Sequence, residues 1–165
     1  MYTFDVFISC KSEDYGLARE VYTFLVRKGY RVFLADTELK KNGNADYGKV
    51  IDFALESAKH FILVSSNKKY IQSPYVESEW RTFIEEIRSG RKKGNLLTVL
   101  KGLDVGFLPI SLRKYQSFQY QDFSLIIDYL PLEYKKENIR EIENIIVDKK
   151  HKDIRIPKLS ICICI

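Results

Sequence analysis

The sequence predicts an α/β sandwich built around a mainly parallel sheet of five strands. Two observations carry that prediction. Between Phe4 and Leu130, short apolar runs of strand length alternate with amphipathic stretches of helix length. The third run, "HFILVSS" (His60 to Ser66), is almost continuously apolar, as in a strand buried on both faces of a parallel sheet.

The elements follow in order. "FDVFISCKSED" (Phe4 to Asp14) opens as a buried strand and breaks into polar residues at Ser9, Cys10 and Lys11. Leu17, Val21, Phe24 and Leu25 then recur at helical spacing, and Gly29 ends that helix after Arg27 and Lys28. "YRVFLA" (Tyr30 to Ala35) is the second strand, followed by a polar, glycine-containing loop from Asp36 to Gly48. A second helix carries Val50, Ile51, Ala54, Leu55 and Ala58 on one stripe. After the third strand, Ser73 and Pro74 read as a cap and first-turn proline. They open a helix with Val76, Trp80, Phe83, Ile84 and Ile87 on its inner face. "NLLTVL" (Asn95 to Leu100) and "KYQSFQY" (Lys114 to Tyr120) are the last two strands, and Asp122 to Leu130 is a closing helix. The texture changes at Pro131. Residues 1–131 read as one domain, and 132–165 as an extension with a helical stretch and an apolar end, "IPKLSICICI".

Composition sets limits on function. A chain of 165 residues that is 45% hydrophobic has ample material for one core. Lys and Arg number 27 against 22 acids, giving a net charge of +5, but the charges are interspersed and no aromatic-basic recognition module is visible. An anionic small molecule or a solvated surface fits this balance better than a nucleic acid. The three cysteines, Cys10, Cys162 and Cys164, cannot all pair within one chain, which suits a reduced cytoplasmic setting. No apolar run reaches membrane-spanning length, so the expectation is a soluble protein with no membrane partner.

In an open parallel sheet of order 2-1-3-4-5, ligands bind beyond the strand ends where the order reverses, between the first and third strands. Ser9, Cys10 and Lys11 arrive there from one side, Ser65 and Ser66 from the other. No G-x-G-x-x-G follows the first strand, no phosphate-cradling G-x-x-x-x-G-K-S/T occurs, and serines stand where a phosphoacceptor aspartate would end the third strand. On the helix beginning near Ser73, Tyr75 and Glu79 are i and i+4 neighbours on one flank of the apolar stripe. Glu79 is therefore either a carboxylate at the mouth of the crevice or an ordinary surface glutamate near a helix start. His60 and His151 have no metal-ligand spacing around them.

Three stretches in register resemble the Toll/interleukin-1 receptor (TIR) domain family, in the layout of its bacterial NAD+-consuming members. "FDVFISCKSED" looks like box 1, "GYRVFLADTEL" like the second strand and the start of the BB loop, and "HFILVSSNKKYIQSPYVESEW" like the third strand, loop and catalytic helix. The resemblance implies a flavodoxin-like three-layer sandwich and cleavage of the nicotinamide-ribose bond of NAD+, as substrate and without a cofactor or metal. Catalysis is expected at Glu79, with Ser9, Cys10, Lys11, Asp36 and Tyr75 lining the substrate. Lys11 is a partner for the pyrophosphate, and Tyr75 a wall for nicotinamide or ribose. Asp36 either bonds a ribose hydroxyl or caps its loop. Cys10 and Tyr75 depart from the residues common in the family, so Cys10 is either a nucleophile or a small buried thiol. Self-association is expected through the BB loop, Asp36 to Gly48, or through the C-terminal extension. The implied role is an ADP-ribose-derived signal in bacterial anti-phage defence; the alternative is a noncatalytic TIR module that acts by assembly.

Overall fold

The computed structural model describes residues 2–35 and 45–132. The first of two units into which the chain divides is Met1–Pro131, and the description below concerns it. Asp36 to Asn44, most of the expected BB loop, lies outside the described residues, as do 133–165 with Cys162, Cys164 and His151.

Five parallel strands form one sheet in the order β2-β1-β3-β4-β5: β1 (Phe4–Cys10), β2 (Val32–Leu34), β3 (Ala58–Ser65), β4 (Leu96–Leu100) and β5 (Gln116–Gln119). The expected topology is therefore present, and the sheet is parallel throughout. Among the described residues five α-helices connect and cover it: α1 (Tyr15–Arg27), α2 (Ala45–Ser57), α3 (Lys68–Ile71), α4 (Pro74–Arg88) and α5 (Ile110–Arg113). Among the described residues no helix is long and apolar enough to cross a membrane.

Register builds the core. Phe7 is opposite Phe33 on one side and Phe61 on the other, so three rings from adjacent strands share one sheet face. Phe7 stacks on both at ring separations of 5.4 and 5.5 Å, and Phe61 passes the contact to Phe83 of α4 at 5.2 Å. Trp80 and Ile84 of α4 and Ile51, Ala54 and Leu55 of α2 complete this layer. Truncating any of its buried rings to alanine costs about 3–5 kcal/mol.

The ends of the strands are fixed by polar groups. Asp5 accepts from the Arg31 backbone N–H at 2.7 Å and from its guanidinium at 2.7 and 3.1 Å, pinning the start of β2 to β1. Lys92 is buried, and its Nζ donates to the carbonyls of Glu56 and, at 2.7 Å, Ala58, where α2 hands over to β3. Burial lowers its pKa. Gly94 precedes β4 where no side chain fits, because a Cβ there would lie 1.6 Å from the Lys59 carbonyl oxygen.

Four local expectations change. α2 already begins at Ala45, inside the expected loop, and Ala58 belongs to β3, where it pairs with Phe4. Ser73 holds the N-cap position of α4, but its hydroxyl donates backward to the Tyr70 carbonyl at 2.8 Å instead of capping. α3, α5 and the 3-10 turns Ser12–Asp14 and Val105–Phe107 were not anticipated, being too short to show a period. The closing segment is a 3-10 run, Tyr120–Tyr129, not an α-helix. Phe123, Ile126 and Tyr129 recur every third residue, so three residues per turn puts them on one side. There Phe123 meets Phe24 edge-on at 5.4 Å and Tyr129 meets Phe118 at 5.3 Å.

Candidate active site

Strand alternation decides which side chains of β1 face α4. Phe7 belongs to the layer under α4, and Ser9, two residues on, points the same way. Its hydroxyl donates to Glu79 Oε2 at 2.6 Å, a contact between residues seventy apart in sequence. Both groups are buried, Ser9 completely and Glu79 to 3% exposure. The flank of α4 that carries Glu79 thus faces the end of β1, and the surface-glutamate alternative does not describe it. A buried carboxylate is costly unless hydrogen bonds compensate it, and a charge-assisted bond of this length is among the stronger ones.

Glu79 also lines a cavity of about 340 Å³ between α2 and α4. Ile51 and Leu55 form its apolar wall, and Ser78, Thr82, Asp52 and Glu56 give it polar groups. Glu86 and Arg91 are paired at 2.8 Å among its lining residues. The guanidinium holds the Glu86 carboxyl below its ordinary range.

The other expected site residues take different positions. Cys10 is buried, and alternation gives it the sheet face of Val6 and Ile8, opposite to Ser9 and Glu79. Lys11 sits just past the strand, 3.6 Å from the Glu13 carboxylate. Tyr75 is 46% exposed on the first turn of α4, one turn before Glu79. Asp36 lies outside the described residues. Glu77, two residues before Glu79, is bound to Arg81 at 2.7 Å on the helix surface.

One group that sequence reasoning missed links the segments that follow β1 and β3. Asp14, buried to 3% exposure, accepts from the Ser66 backbone N–H at 2.8 Å and from the Ser66 hydroxyl at 2.6 Å. Adjacent Glu13 and Asp14 look equivalent in sequence, and nothing in their spacing marks the second as buried. Asp14 thus ties the turn after β1 to the residue after β3, on the side of the sheet end where the strand order reverses. His60 is structural, with Nδ1 accepting from the Asn95 N–H at 2.9 Å.

A parallel 2-1-3-4-5 sheet whose first strand holds a buried glutamate on the helix after the third defines a flavodoxin-like domain with a carboxylate site. The sequence profile of the TIR domain matches residues 6–129, and the chain belongs to that family. Among solved structures it is similar to a metazoan TIR-STING receptor from C. gigas in complex with 2',3'-cGAMP. The identity is 22% and the TM-score 0.60, over 78% of this chain and 40% of that one. A second structure of the C. gigas receptor gives 23% and 0.60, over 79% and 41%. The TIR domains of the activated Roq1 resistosome, which directly recognises the pathogen effector XopQ, share 18% identity at a TM-score of 0.51, over 86% and 78%. At these identities the likeness speaks for the fold. The chain spans about two fifths of the length of the C. gigas receptor. No curated protein sequence matches it.

Proposed function

We propose that the protein is an NAD+ nucleosidase that cleaves the nicotinamide-ribose bond, with Glu79 as its catalytic group. The observation that carries this reading is a carboxylate at 3% exposure, oriented by Ser9 at 2.6 Å and bordering a cavity. A lone carboxylate suffices for this reaction. Nicotinamide departs from a pyridinium as a neutral molecule, so the leaving group needs no proton, unlike the oxygen of an ordinary glycoside. Glu79 accepts hydrogen bonds from the ribose hydroxyls and stabilises the oxocarbenium-like transition state, an interaction strengthened where water is excluded.

Lys11 pairs with the pyrophosphate in competition with Glu13, and Tyr75 and Asp36 border the nicotinamide and ribose. Cys10 belongs to the packing between sheet and α1. The enzyme works in the cytoplasm, and the ribosyl product serves as a signal in anti-phage defence. Self-association through the Asp36 to Gly48 loop or the 132–165 extension supports activity, and a noncatalytic assembly module is the competing reading. Exposed apolar side chains that could take part in assembly include Phe107 and Ile110 between β4 and β5, 56% and 81% exposed, and Phe53 on α2, 56% exposed.

Incubation with NAD+ and chromatography of the products tests the proposal. Nicotinamide release is expected from the wild type and from Glu77→Ala, with a loss of about 100-fold or more in Glu79→Gln. No release at any protein concentration refutes the enzyme reading. Full activity in Glu79→Gln refutes the site assignment alone.

A further inference from the structure

We propose that Asp14 and Ser66 are positioning residues, members of a closed circuit of hydrogen bonds and short backbone segments that sets where Glu79 stands relative to β1. The circuit starts at Ser9, whose hydroxyl binds Glu79 on α4. Next along α4, the Trp80 indole Nε1–H donates to the Ile71 carbonyl at 3.0 Å, tying α4 to the end of α3. The start of α3 is held by Asn67, whose side-chain oxygen accepts from the Lys69 N–H at 2.9 Å. Its neighbour Ser66 is clamped by both oxygens of Asp14. Asp14 returns to β1 through the 3-10 turn closed by its own N–H on the Lys11 carbonyl at 2.8 Å.

Each link is short, and the central ones are buried: Ser9, Asp14, Glu79 and Trp80 are all at most 3% exposed. Asp14 is the only member other than Glu79 that brings a carboxylate. Its two acceptor oxygens match the two donors of Ser66, so the connection resists rotation as well as separation. Without it, the β3–α3 connection loses a two-point side-chain tie to the β1 end and keeps the backbone pairing of Cys10 with Val64. Glu79, two elements downstream, then loses one of the constraints on its distance from Ser9. Rate depends steeply on such spacing, because a displacement of about 1 Å at a reacting group can cost about 100-fold.

The inference rests on Glu79 being catalytic, and the test separates the two claims. Asp14→Asn keeps the shape but supplies one acceptor where Ser66 needs two; Ser66→Ala removes the hydroxyl from the other side. The full-length protein is assayed for kcat and KM with NAD+. In parallel, hydrogen exchange of the indole N–H is followed by NMR; Trp80 is the only tryptophan, so its signal is unique. Both variants are expected to lower kcat by about tenfold or more with KM within about twofold, and to speed indole exchange by about tenfold. The double variant should be no worse than the worse single one. A lowered melting temperature with unchanged kcat, a change in KM alone, or a kcat loss with unaltered indole exchange each overturns the proposal. If the wild type releases no nicotinamide, the enzyme reading fails and the circuit stands or falls on the indole measurement.

Discussion

Replacing Ser9 by alanine perturbs one atom, and its cost can be worked from the structure. The variant removes the donor 2.6 Å from Glu79 Oε2 and leaves a side chain at 3% exposure with one bond fewer. A hydrogen bond to a charged group contributes about 1.5–3 kcal/mol, and the loss is felt in full when water cannot enter to replace the donor. At about 2–4 °C per kcal/mol for a chain of this size, the melting temperature should fall by about 3–12 °C. Charge is the discriminating factor. In a Glu79→Gln background the same serine serves a neutral amide, and its removal should cost only about 0.5–1.5 kcal/mol. The double-mutant cycle should therefore show a coupling of about 1 kcal/mol, the difference between the midpoints of the two ranges. Urea unfolding of the four proteins, at equal concentration and with matched slopes, provides the assay. A Ser9→Ala protein as stable as the wild type, or a coupling near zero, refutes the claim that Ser9 compensates a buried carboxylate.

Three further predictions concern groups away from the site. Gly94→Ala should destabilise by at least about 3 kcal/mol or prevent folding, measured by the urea midpoint, because its Cβ meets the Lys59 carbonyl at 1.6 Å. Tyr120 has its pKa raised to about 12, chiefly by burial and then by the nearby Glu20 carboxylate. The folded state keeps a proton that the unfolded chain gives up near pH 10, so the stability from this group is complete below pH 10. It is lost as the pH rises toward about 12, and Tyr120→Phe should flatten that decline in thermal melts. Lys92 has the opposite sign: burial lowers its folded pKa, so its destabilising cost is complete below that value and is relieved as pH rises toward 10.5. Acid-to-alkaline unfolding curves of Lys92→Met should lack this rising limb.

Four of the five strands were legible because each is an apolar run bounded by polar or glycine residues, and their parallel order follows from the helices between them; β5 (Gln116–Gln119) has one apolar residue, Phe118, and was marked by its aromatic surroundings. Short helices such as Lys68–Ile71 were not, since four residues cannot display a 3.6-residue period. The closing segment misled for a related reason: an apolar residue every three positions suits both an α-helix flank and a 3-10 stripe, and packing against Phe24 and Phe118 selects the second. Glu79 could be placed on a flank of its helix from spacing alone. Its burial could not, because that depends on what the flank faces, and only the folded sheet brings Ser9 there. Asp14 was invisible for the same reason, with Glu13 beside it exposed and chemically similar.

The parity of β1 carries a consequence for how this chain tolerates insertion and deletion. Phe7 and Ser9 share a side, and Ile8 and Cys10 share the other. Removing one residue from the middle of the strand keeps every residue type and its chemistry, yet it would put Cys10 in front of the Glu79 carboxylate and turn Ser9 away. Edits by two residues preserve parity but move the hydroxyl by nearly 7 Å, about two strand rises. The first strand is therefore a ruler that admits no change of length, and drift in this protein should accumulate there as substitution and never as insertion.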